Sequence, residues 1–68
     1  MEVTINATAK FSAGAYTART HRARGSSTRD GTTACQRAAE RYVAGTKLRV
    51  ARIEHQQGDE YRVVLTNE

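Results

Sequence analysis

A chain of 68 residues, 38% of them hydrophobic and many of those alanine, has room for one thin core and no second domain, so its few large apolar residues must all be used. No run approaches the roughly 20 apolar residues of a membrane span, and the single cysteine, Cys35, excludes an internal disulfide. Eleven Lys and Arg against seven Asp and Glu give a net charge of +4, a balance that attracts an anionic partner, either nucleic acid or an acidic protein surface.

Val3, Ile5, Ala7, Ala9 and Phe11 alternate strictly with Thr4, Asn6, Thr8 and Lys10. That period of two predicts a half-buried strand. Ser12-Ala13-Gly14 reads as a short hairpin connection, and a second strand follows from about Ala15 to Arg22, with Tyr16, Ala18 and Thr20 on one face and Thr17, Arg19 and His21 on the other. Residues 23–31 are polar, rich in Ser and Arg and without periodicity, which predicts a loop.

Cys35, Ala38, Ala39, Tyr42 and Val43 recur at spacings of three and four, an apolar stripe on a helix of roughly three turns. Asp30 or Thr33 caps its start, Thr33 with Gln36 fitting the capping-box spacing, and Gly45 ends it. A third strand begins at Lys47 with Leu48 and Val50 inward. Ile53 falls on the opposite parity, so either a bulge near Ala51 and Arg52 resets the register or Ile53 packs at the strand's end. After the turn Gln56-Gln57-Gly58-Asp59, the last strand places Tyr61, Val63 and Leu65 on one face and Arg62, Val64 and Thr66 on the other.

The predicted fold is therefore a single α+β domain over residues 1–68, a four-stranded antiparallel sheet in the order β-β-α-β-β with one helix packed on one face. Its expected core is Val3, Ile5, Phe11, Tyr16, Cys35, Ala39, Tyr42, Val43, Leu48, Val50, Tyr61, Val63 and Leu65.

Charge is unevenly spread. From Lys10 to Arg52 ten basic residues face only Asp30 and Glu40, and nine of the eleven cations are arginine, whose planar fork suits phosphate and carboxylate. With the apolar residues under the helix, the opposite sheet face collects Thr8, Lys10, Thr17, Arg19, His21, Lys47, Arg49 and Arg62, centred on Arg19, Lys47 and Arg49. Arg22, Arg24 and Arg29 form a second candidate contact in the loop ahead of the helix, where backbone amides and the helix dipole favour anions. Both sets are normal as solvated surface too.

Catalysis is not indicated. His21 and His55 stand far apart without a carboxylate or cysteine at metal-ligand spacing, so no metal and no cofactor is expected. Cys35 sits among alanines on the apolar stripe as a small hydrophobe, and one helix on one sheet provides little concavity for an active site. Phe11, Tyr16, Tyr42 and Tyr61 all take inward parity, which disfavours stacking on unpaired bases.

Tyr16-Thr17-Ala18-Arg19, then Ser26-Ser27-Thr28, then the alanine-rich helix from Thr33 to Ala44 resemble small phage and mobile-element proteins, among them type I anti-CRISPR proteins, in size and layout. The resemblance implies a non-enzymatic inhibitor in the bacterial cytoplasm that docks on a Cas surveillance complex, through acidic patches of Cas subunits, guide RNA or target DNA, and blocks target DNA binding. The absence of a signal peptide's basic-then-apolar order in Met1-Glu2-Val3-Thr4 also predicts a cytoplasmic protein. The alternatives are a small regulatory module that binds DNA or RNA through its phosphate backbone, and an accessory phage protein that oligomerises through its sheet edge. Monomer or weak homodimer is the expected state.

Overall fold

The computed structural model describes all 68 residues, Met1–Glu68. Its elements are β1 (Glu2–Ser12), β2 (Ala15–Arg19), β3 (Arg24–Ser27), α1 (Gly31–Val43), β4 (Arg49–Gln57) and β5 (Glu60–Thr66). The α+β class, the single helix and the antiparallel sheet are as the sequence predicts, but the sheet has five strands, ordered β3-β2-β1-β5-β4.

The added strand is β3, which occupies half of the predicted loop. Arg24-Gly25-Ser26-Ser27 carries no large apolar side chain, so it offers no period-two signal. Its strand character comes from pairing with β2, Arg19 opposite Arg24 and Ala18 opposite Gly25, and from the helix above it. A Cβ added at Gly25 would stand 2.3 Å from the Ala38 amide nitrogen and 2.7 Å from the Ala34 carbonyl oxygen. The helix therefore lies backbone against backbone on β3, and only glycine fits there.

The same economy extends across that side of the core. Ala7, Ala9, Ala18, Ala34, Ala38 and Ala39 are all buried between helix and sheet. On the β5 and β4 side Val63 and Leu65 are the large buried side chains, and Val50, Ile53, Leu48 and Val43 are among the partly buried residues packed against the core. Tyr42 and Leu48 are half-buried at the margin of this cluster.

Long β1 serves two partners. Its second half, Thr8–Ser12, pairs with β2, and its first half, Glu2–Thr8, pairs with β5. This offset leaves Phe11, expected in the core, beyond the reach of the helix. It is 62% exposed and rests on its cross-strand neighbour Tyr16, ring centroids 4.9 Å apart.

Local chemistry sets the boundaries. The β1–β2 turn is the two residues Ala13 and Gly14, both at positive φ, 55° and 82°. Strand β2 stops at Arg19, three residues short of expectation, because Thr20 folds the chain back: its Oγ1 accepts the Ala23 and Arg22 amides. Asp30, rather than Thr33, caps the helix, its Oδ1 accepting the Thr33 amide at 2.7 Å. Strand β4 begins at Arg49, two residues later than expected, since Thr46 closes a turn on the Val43 carbonyl and the Leu48 amide. The register shift between Val50 and Arg52 is the bulge that carries Ile53 back inward. No helix is long and apolar enough to cross a membrane.

Candidate nucleic-acid interface

The face of the sheet away from the helix is polar and open. Along β1 it presents Glu2, Thr4, Asn6, Thr8, Lys10 and Ser12, all exposed. Register sets their neighbours: Thr8 faces Arg19, which faces Arg24 on β3, while Lys10 faces Thr17, which faces Ser26. Thr8, Lys10, Ser12, Thr17 and Arg19 line an open groove of about 410 Å³. A second groove of about 370 Å³ shares Thr8 and continues across Asn6, Glu60, Arg62, Gln56 and Gln57.

This face divides into two electrostatic halves. On β5 and β4, Arg52 holds Glu54 at 2.8 Å and Glu2 at 3.8 Å, and Arg62 lies 3.7 Å from Glu54. The Glu54 carboxylate, hydrogen-bonded to Arg52 and first among its neighbours, raises the guanidinium's pKa further. Arg49 donates from Nε to the Glu68 carbonyl at 2.7 Å. The stems of these arginines flank Val64 and Thr66, which are 2% and 6% exposed although they point away from the helix. On β1, β2 and β3, by contrast, Lys10, Arg19 and Arg24 have no carboxylate partner.

The nine candidate residues are thus sorted. Lys10, Arg19 and Arg24 come together. Arg49 and Arg62 share the face but are engaged on its far half, with the whole of β1 and β5 between Arg49 and Arg19. Arg19 and Arg49 therefore do not form one centre, as the simple parity count had predicted. Lys47 lies in the turn before β4 and off the sheet.

His21 also leaves the predicted face, and Arg22 leaves the predicted loop contact beside Arg24 and Arg29. In the β2–β3 turn they clasp Tyr42 on the helix side, His21 edge-on at 5.2 Å and the Arg22 guanidinium over the ring at 4.8 Å. Arg29 is exposed in the short link between β3 and α1, where its amide donates to Ser27 Oγ. The anion position at the helix N-terminus is filled by the chain's own Asp30, whose carboxyl the Thr33 amide holds below its ordinary pKa of 3.8.

Two arginines escaped the sequence reading. Arg37 donates from Nη1 to the Ser26 carbonyl at 2.8 Å, and Arg41 from Nη1 to the Arg24 carbonyl at 3.4 Å. Their signal was an i, i+4 pair of arginines on the polar side of the helix, which becomes meaningful only once β3 is known to lie beside it.

Chemically the arrangement offers hydrogen-bond donors and positive charge. Cys35 is fully buried, and desolvation pushes its thiol up to about 11. His55 stacks on Tyr61 at 4.4 Å on the helix-facing side, remote from His21. No His, Cys, Asp and Glu side chains gather in a group of three that would hold a metal ion.

No family model matches the chain, and neither curated proteins nor solved structures give a match.

Proposed function

We propose that this protein is a non-catalytic binding protein that engages the phosphate backbone of nucleic acid through the β1–β2–β3 half of its open sheet face. The observation that carries this is the segregation of charge. Seven basic residues, Lys10, Arg19, Arg22, Arg24, Arg29, Arg37 and Arg41, belong to the half built from β2, β3, α1 and the end of β1, against Asp30 and Glu40 alone. The remaining four cations are outnumbered by five carboxylates.

The companions of Lys10 and Arg19 favour phosphate over an acidic protein groove. Thr8, Ser12, Thr17 and Ser26 supply hydroxyl donors, which with Arg and Lys make most backbone contacts to nucleic acid. A protein interface is commonly anchored on buried aromatic side chains as well as arginine, and the β1–β2–β3 half of the face carries no aromatic ring and no apolar side chain larger than alanine: Phe11 and Tyr16 lie on its other side. In the setting that the likeness to type I anti-CRISPR proteins implies, the phosphate belongs to the guide RNA or target DNA of a Cas surveillance complex.

Titration of the protein with a short DNA duplex at several salt concentrations tests the function. Affinity that falls steeply and linearly in log salt is expected, with Lys10→Glu/Arg19→Glu abolishing it. Absence of binding at low salt, or binding indifferent to salt, would refute the proposal.

A further inference from the structure

We infer that the β3 edge is a two-flanked basic ridge that seats in a groove of duplex DNA, with Arg37 and Arg41 contacting the backbone opposite the one reached by Lys10, Arg19 and Arg24. The inference rests on the nucleic-acid function proposed above and adds two binding residues and a requirement for duplex.

An edge strand exposes every second carbonyl to solvent, and β3 is the edge. Ser26 and Arg24 expose theirs two residues apart, about 6.7 Å along a strand, while Arg37 and Arg41 rise about 6 Å along the helix. The two repeats match, so each carbonyl receives one guanidinium. Guarding the edge needs only one nitrogen of each fork. The remaining donors stay available, both side chains are exposed, and neither meets a carboxylate: the nearest on the helix, Glu40, accepts from Gln36 instead. Two arginines held at fixed spacing by the backbone they cover lose little freedom on binding a phosphate.

The close seat of the helix on Gly25 makes the edge narrow. Cations then turn around it continuously, from Lys10, Arg19 and Arg24 on the sheet face to Arg37 and Arg41 at the helix. A flat basic face lies along one backbone, whereas a convex ridge with charge on both flanks fits between two. The major groove of B-DNA, about 12 Å wide, admits an α-helix or a two-stranded ribbon, so the part that enters is the β3 edge with its flanking arginines and not the whole helix and sheet. The deep, narrow major groove of A-form RNA does not admit it.

Salt-dependent binding of wild type and Arg37→Gln/Arg41→Gln to a DNA duplex, to one of its strands and to the RNA duplex of the same sequence tests the ridge. The expected result is duplex DNA bound most tightly, with the salt slope of the variant reduced by about two on it. A second measurement needs no variant: duplex DNA should protect Arg19, Arg24, Arg37 and Arg41 of the folded protein from an arginine-specific dicarbonyl reagent, and leave Arg52 labelled as before. Single-stranded DNA or duplex RNA binding as tightly as duplex DNA, or Arg37 and Arg41 labelling at unchanged rate with DNA bound, would overturn the inference while leaving backbone binding by the sheet face intact. Failure of the wild type to bind any nucleic acid would overturn both.

Discussion

At the scale of single residues, the protein is governed by how little side chain it has. Gly25 and Phe11 show opposite sides of this. Gly25→Ala would drive a methyl into helix backbone, which cannot move aside as a flexible side chain does; overpacking of this kind costs about 1 to 3 kcal/mol or more, a large share of a small domain's stability. Phe11→Ala removes the largest apolar side chain after Tyr, yet at 62% exposure it forfeits chiefly the contact with Tyr16, about 1 kcal/mol. Thermal melts of the two variants should therefore rank opposite to residue size. Cys35 gives a pH test. Burial raises its thiol from 9.0 to about 11, so the folded state favours the protonated form. Its contribution to stability is fully present below pH 9 and is lost as pH rises through 11. Alkylation at pH 8 should be slow in the folded protein and fast in denaturant; rapid labelling of the folded chain would contradict the buried position.

At the scale of elements, strands and helix were legible wherever apolar side chains marked a period, and hidden wherever fit replaced hydrophobicity. β1 and α1 announce themselves by alternation and by a stripe, and the bulge in β4 is visible in the parity of Ile53. β3 announces nothing, because what makes it a strand is the absence of side chains that would keep the helix away. Phe11 misled for a related reason: parity says which face a residue takes, and only the helix's position says whether that face is covered. The hairpin turn carries a prediction of its own. Positive φ at both Ala13 and Gly14 is the signature of a tight hairpin that prefers Asn-Gly, and alanine in the left-handed region is strained by about 1 kcal/mol. Ala13→Asn should raise the midpoint of chemical denaturation with an unchanged denaturant slope. An unchanged or lower midpoint would show that the turn is not held in this conformation.

At the scale of the whole molecule, the candidate site was half legible. Its face could be found from strand parity, but parity counts cations without asking whether they are spoken for. Arg19 and Arg49 are equivalent in such a count. In the fold they differ in kind: Arg19 stands between Thr8 and Arg24 with no carboxylate partner, whereas Arg49 is held on the Glu68 carbonyl in the half where every carboxylate-paired arginine is found. Exposed ion pairs contribute little to stability, so their effect here is to cancel the field and leave one pole of the molecule positive. An incoming phosphate then meets attraction at the β3 end and near neutrality at the β4 end. Single charge reversals separate the two. Arg19→Glu should lower duplex affinity at least tenfold at low ionic strength and flatten the salt dependence, while Arg49→Glu should change affinity less than threefold, with both variants folded by circular dichroism. Equal losses from the two substitutions would mean that binding responds to net charge alone, and that the division of the face into paired and unpaired halves does not direct the partner.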